Sequence, residues 1–249
     1  MCKILCLLLF VLPICAQKPT AGTLVVSNAL TSGLRLAYLL NGSDVSNLVN
    51  SVGGAEPLLV TGSGMTYDSG TESRVFAGSG FLQIPTAALA EFAGISAITV
   101  IIGYKSSSAF IPLWSMGGGG LFSGDYWPFN DGNIYTATLV SVRYSFADPG
   151  GITWSNFNQL AVTGAGGGNV LAYINGALIN THAAGATVTL GASGMIGQNS
   201  DGNALTGNIQ FLYAWKRVLS STELATLAAD QYTPIFTSSA HPGSFPFVM

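Results

Sequence analysis

The sequence predicts an all-β sandwich. Short β-type runs follow one another along the chain, with turn residues between them and no alternating helices. Of the 249 residues, 49% are hydrophobic and only 8% charged, where about 25% charged is usual, and 32 are glycine. That balance describes a turn-rich β protein with a neutral polar surface. Disorder would need low hydrophobicity and high charge. A local hairpin signal, Asn175-Gly176 between apolar runs, completes the pattern.

The chain opens with MCKILCLLLFVLPICAQ, read as a signal peptide over residues 1–16. Lys3 supplies the positive end, Ile4–Ile14 the apolar run, and Ile14-Cys15-Ala16 a cleavage site. The run is shorter than the roughly 20 residues a bilayer span needs; a lipid anchor through Cys15 and an uncleaved segment are the competing readings. All three cysteines (Cys2, Cys6, Cys15) fall in this segment, so a secreted, disulfide-free chain follows it. Residues 17–33 read as a spacer, 34–236 as one sandwich and 237–249 as a flexible tail.

Within the sandwich the expected strands are Leu34–Leu40, Leu58–Thr61, Phe81–Ile84, Ile98–Tyr104, Phe110–Ser115, Ile134–Phe146, Gln159–Gly164, Val170–Ile174, Ala177–Ala183 and Ile209–Trp215. The glycine runs 117–120 and 166–168 read as loop tips. Asn175 and Gly176 suit the positive φ values of a two-residue type I′ turn. Ile209, Phe211, Tyr213 and Trp215 alternate onto one face of a central strand. A helix then starts with a capping box, Ser220 and Glu223, and a staple of Leu219 with Leu224. Leu224, Leu227 and Ala228 form its inner stripe, expected to plug one end of the sandwich. Thr86–Glu91 is a second short helix.

Net charge is −3 and Lys216-Arg217 is the one adjacent basic pair, so no stripe exists to neutralise phosphates. No nucleic-acid partner is expected, and no membrane span after signal removal. Neither glycine run leads into Gly-Lys-Ser/Thr, which a phosphate loop requires. The two histidines, His182 and His241, read as surface residues rather than bases.

The candidate binding site is the loop Gly124–Asn133. Tyr126, Trp127 and Phe129 stand there beside Asp125, Asp131 and Asn133. Sugars bind through aromatic faces stacked on C–H patches and a few polar side chains. The competing reading folds Trp127 into the core or a subunit contact. No cofactor is expected apart from calcium, for which Asp125, Asp131 and Asn133, or Asp201 with Asn203, offer hard oxygen ligands. Ordinary Asp-Gly turns explain the same residues. Asn41-Gly42-Ser43 is a glycosylation sequon.

Four blocks resemble the laminin-G-like branch of the concanavalin A-like lectin/glucanase superfamily. Phe157–Thr163 (FNQLAVT) is similar to its W-H-H-V-A-V-T strand, and Tyr173–Leu178 (YINGAL) to Y-V-N-G-K-L. Gly207–Glu223 is similar to G-x-I-D-E-V-R-I-Y-N-R-A-L-S-x-x-E, and Phe76–Pro85 to F-D-G-S-x-D-Y-V-x-I-P. Gln210 and Phe211 stand in place of an acidic pair, Tyr213 in place of Arg, and Asn158 with Gln159 in place of two histidines. Asn28–Leu34 and Ala229–Phe236 resemble the opening and close of a phage and environmental subset. The resemblance implies a jelly-roll sandwich of two antiparallel sheets with one or two short helices.

Retaining glycosidases of that superfamily need two carboxylates about 5 Å apart. Their E-x-D-x-x-E run is absent. Glu72, with Asp68 four residues earlier, is the least explained acid and reads as a solvated loop pair. The expected function is a secreted, non-enzymatic carbohydrate-binding or adhesion module, its partner a glycan or cell-surface polymer. The alternatives are a structural or assembly protein that packs as a homo-oligomer, and a divergent glycan hydrolase or lyase.

Overall fold

The computed structural model describes residues 23–25, 27–40, 59–106, 111–116, 122–127, 133–138, 143–147, 150–166, 168–183, 194–198, 202–232 and 234–237. For 23, 111–112, 122–127, 133–138, 143–147, 182–183 and 236–237 only the backbone is described. The signal segment, the three cysteines, the sequon, Glu56 and His241 lie outside these residues.

The strands are, in chain order, β1 (Thr23–Leu24), β2 (Leu34–Leu39), β3 (Leu59–Gly62), β4 (Met65–Asp68), β5 (Ser73–Ala77) and β6 (Gly80–Ile84). After α1 (Thr86–Ala90) come β7 (Ala97–Lys105), β8 (Ile111–Met116), β9 (Phe122–Trp127), β10 (Asn133–Thr138) and β11 (Arg143–Ala147). The chain continues through β12 (Asn158–Ala165), β13 (Asn169–Ile174), β14 (Ala177–Ala183), β15 (Gly194–Ile196) and β16 (Thr206–Trp215), then α2 (Ser221–Ala229) and β17 (Phe236–Thr237).

Two large antiparallel sheets result, beside a two-stranded β1–β17 ribbon, consistent with a jelly-roll sandwich. One runs β11-β10-β9-β8-β15-β6-β3, the other β14-β13-β12-β7-β16-β5-β4, with β2 also paired to β16. β16 is the hinge of the second sheet. One edge lies along β7, while the other takes β5 at Thr206–Ile209 and then β2 at Phe211–Trp215. This confirms it as a central strand. The run Ile134–Phe146, read as one strand, is two: Ile134 pairs with Phe146 across the β10–β11 ladder. Thirteen residues is well beyond the usual strand of about 5–6, and folding back gives both halves a partner.

The inter-sheet core takes Leu82, Ile84, Trp114, Met116 and Ile196 from the first sheet and Tyr38, Val100, Ile102, Leu160, Val162 and Leu212 from the second. α1 adds Ala88 and Leu89, with Phe92 just beyond it. The second sheet also buries its outer face. Ala37, Leu39, Ile101, Ala161, Tyr173, Phe211, Tyr213 and Trp215 lie there beneath Leu224 and Leu227 of α2, with Leu30, Tyr232 and Ile235. α2 therefore roofs the outer face instead of plugging an end. The reason is in the sheet: its strands are apolar on both faces, and an exposed outer layer of Phe, Tyr and Trp would forfeit about 1.5–3 kcal/mol per large side chain.

One expected alignment is corrected. Ile209 joins the inner core while Phe211, Tyr213 and Trp215 face outward. Opposite β7, Ile209 pairs with Tyr104 and Phe211 with Gly103, so Gln210 is an extra residue. A β-bulge of this kind shifts the alternation by one.

Candidate functional site

The hairpin turn forms as its residues require. Asn175 and Gly176 have φ of 50° and 79°, and Ile174 pairs with Ala177. Asn175 also explains the residues that replace the family's histidines. Its Oδ1 accepts from the Gln159 backbone N–H at 2.8 Å, and its Nδ2 donates to Asn158 Oδ1 at 2.9 Å. Asn158 Nδ2 donates in turn to the carbonyls of Thr153 and Asn156, and Gln159 Nε2 to that of Leu227. These two positions knit a turn, a loop and a helix; they carry no proton chemistry.

The described residues of the predicted binding loop are strand. Residues 124–127 belong to β9, and Asn133 opens β10. Asn133 faces Trp127, Ile134 faces Tyr126 and Tyr135 faces Asp125. Strand alternation puts positions 125 and 127 on one face and 126 on the other. Phe129 and Asp131 lie outside the described residues. Asn133 sits two register steps from Asp125, and Asp201 is also outside the described residues while Asn203 is exposed. Among the described residues no group of three or more His, Cys, Asp or Glu could hold a metal ion. His182 lies on β14 opposite Val170.

Four of the described acids have evident structural roles. Asp68 accepts from the Gly70 N–H at 2.9 Å and the Thr71 hydroxyl at 2.6 Å. Those bonds, Thr71 first, hold its carboxyl below the usual range. Glu91 pairs with Arg35, Glu223 with Arg217, and Asp230 Oδ1 accepts from the Tyr232 N–H. Glu72 shares the turn of Asp68 at a φ of 46°.

Sequence reasoning missed a second concave place. A cleft of about 420 Å³ opens at the polar end of the second sheet. Val75, Asn208 and Lys105 form a cross-strand row, since Asn208 pairs with Val75 on β5 and with Lys105 on β7. Ser106 and Ser155 close one side. Ser106 is pinned there, its N–H donating to the Trp154 carbonyl and its hydroxyl to that of Thr206. Asn208 Nδ2 donates to Ser73 Oγ at 2.9 Å; Ser73 and Thr71 hydroxyls lie 2.7 Å apart, and Thr71 donates to Asp68. The Lys105 ammonium stands 5.0 Å over the Phe157 ring. No run of neighbouring residues signals this cleft, because β7–β16 pairing assembles it.

With two antiparallel sheets and their register established, the family match is decisive: a model of the concanavalin A-like lectin/glucanases superfamily matches residues 76–225. The chain belongs to that superfamily. No curated protein matches it significantly. Within the superfamily's fold, domain 4 of AbnA, an extracellular arabinanase from Geobacillus stearothermophilus solved with arabinotriose, has a TM-score of 0.63 at 19% identity, covering 79% of this chain and 98% of that one. The receptor-binding domain of the botulinum neurotoxin C/D mosaic serotype also gives 0.63, at 12% identity over 80% of this chain and 51% of that one. Trypanosoma rangeli sialidase gives 0.57 at 17% identity, over 80% of this chain and 33% of that one. The chain thus spans about half of the toxin domain and a third of the sialidase. Among the described residues no helix is long and apolar enough to cross a membrane.

Proposed function

We propose that this superfamily member is a secreted, non-enzymatic carbohydrate-binding or adhesion module, with a glycan or cell-surface polymer as its partner. The likeness to AbnA domain 4 supports this most. It runs along 98% of a domain solved with an oligosaccharide, so a frame of this size suffices to carry a sugar. Another structural neighbour is botulinum neurotoxin type C, whose cell entry depends on interaction with two ganglioside molecules.

The ligand face of this proposal is the β9–β10 hairpin. By register, positions 125, 127 and 133 share one face of the paired strands and position 126 the other; Phe129 and Asp131 stand between the two strands in sequence. An indole offers a stacking surface to sugar C–H groups, and carboxylates and amides accept from sugar hydroxyls. Calcium, if used, would take Asp125, Asp131 and Asn133.

A glycan array with wild type and Trp127→Ala tests the reading. Binding by wild type, weakened at least tenfold in the variant, is the expected result. No binding by wild type, together with a large fixed assembly on light scattering, would replace it with the assembly reading.

A further inference from the structure

We infer that the Lys105–Asn208 cleft is a second ligand site, selective for a sugar unit that carries a carboxylate. The inference deepens the carbohydrate-binding reading and rests on it.

Among the described residues, Lys105 is the only charged one that lines the cleft. Among the described residues no carboxylate pairs with it at salt-bridge distance; its contact is the Phe157 ring. On a chain of net charge −3, an ammonium thus stands at the wall of a concave site with no carboxylate at salt-bridge distance among the described residues. Asp68 lies within its field but does not line the cleft, and both Asp68 oxygens are already engaged. An anionic group is therefore the complement that the lining lacks.

The hydroxyl relay fixes the rest. Asn208 spends its Nδ2 on Ser73 and, behind it, Thr71 and Asp68. That orients the amide and leaves Oδ1 as the acceptor for a ligand hydroxyl. Val75 and Ala77 give the same cleft an apolar wall. An ammonium for a carboxylate, an amide oxygen for a hydroxyl and an aliphatic wall for ring C–H groups describe a uronic-acid type of sugar. A bare anion would leave the amide and the wall unused.

The experiment is calorimetry with trigalacturonate and with neutral galactotriose, on wild type, Lys105→Met, Lys105→Arg, Ser155→Trp and Trp127→Ala. Ser155 is exposed, so Ser155→Trp should obstruct the cleft without disturbing the core. Wild type is expected to bind the uronate at least tenfold tighter than the neutral sugar, and more weakly as salt rises. Lys105→Met and Ser155→Trp should abolish that preference and Lys105→Arg should retain it, while Trp127→Ala should weaken only the neutral-sugar binding that the hairpin supplies. Equal affinity for both sugars, or a preference unchanged in Lys105→Met and Ser155→Trp, overturns the inference. If neutral glycans bind through the hairpin and uronate does not, the inference fails and the proposed function stands. If wild type binds no glycan of any class, both fail.

Discussion

At the scale of single residues, Gly103 leaves the least room for a side chain among the described glycines of the second sheet. A Cβ there would come 2.2 Å from Phe211 Cε1, far inside contact distance. The same ring stacks on Tyr213 at 4.6 Å and meets Tyr232 edge-on at 6.2 Å, so it has nowhere to retreat. Gly103→Ala is expected to cost about 1–3 kcal/mol, as overpacking of a filled core does. Urea denaturation would show it, and Phe211→Leu in the same chain should recover part of the loss. An unchanged midpoint would mean that the ring is not held. Gly176 is tight for another reason: its φ is 79°, and a Cβ would lie 2.9 Å from Ala225 Cα of the roofing helix. The turn signal at Asn175-Gly176 was legible because a type I′ turn is a local demand. Gly103 carries no such signal, since its partner is 108 residues away in sequence and only the β7–β16 ladder brings them together.

Among the elements, α2 shows how a short helix is fixed at its start. Ser220 Oγ accepts from the Glu223 N–H, and Glu223 Oε2 accepts from the Ser220 N–H at 2.8 Å, the reciprocal pair expected from the sequence. Arg217 then grips both oxygens of Glu223, at 3.0 and 2.7 Å, and donates to the carbonyls of Ser32 and Ala29. One guanidinium thus ties the helix start to the 3-10 turn Ala29–Thr31. The Arg217 hydrogen bonds lead the causes that hold the Glu223 carboxyl below its ordinary 4.5. A depressed folded pKa adds stability above the unfolded value and loses it as pH falls through the folded one. Wild type should therefore weaken on acidification below about pH 4.5. Glu223→Ala should be less stable by about 1 kcal/mol at neutral pH and less sensitive to acid. Denaturation midpoints from pH 3 to 6 measure both, and parallel curves for the two proteins would refute the linkage. The capping box was legible because its residues stand three apart. The place of the helix was not: its stripe says which side is buried, but which face of β16 carries the aromatics it meets is decided by the bulge at Gln210 against β7. Residues 124–127 of β9 resemble a loop in sequence for a related reason. SGDYW lacks the apolar alternation of a strand, and its pairing with β8 and β10 supplies what its sequence does not advertise.

For the whole molecule, the sequence conveyed the layered class and most of the strands, because period-two patterning is repeated across the chain. What it withheld depends on contacts between distant segments: the bulge at Gln210, the buried outer face and the Lys105–Asn208 cleft. The region read as a spacer contributes to this packing. Leu30 is buried, its carbonyl accepts from Trp215 Nε1 at 2.6 Å, and Asn28 caps the 3-10 turn around it. β1 then pairs with β17, Thr23 opposite Thr237 and Leu24 opposite Phe236.

That two-stranded ribbon has an engineering consequence. The first and last described strands lie side by side, so a short flexible linker can join residue 237 to residue 23, and the chain can be cut afresh at an exposed bend such as Gly150-Gly151, where both residues already adopt positive φ and a side chain would meet nothing nearby. Such a circular permutant should fold with a β-rich spectrum and a melting temperature close to the parent's; collapse of either would mean that the ordering of segments along the chain, and not only their adjacency, is needed to reach the native arrangement.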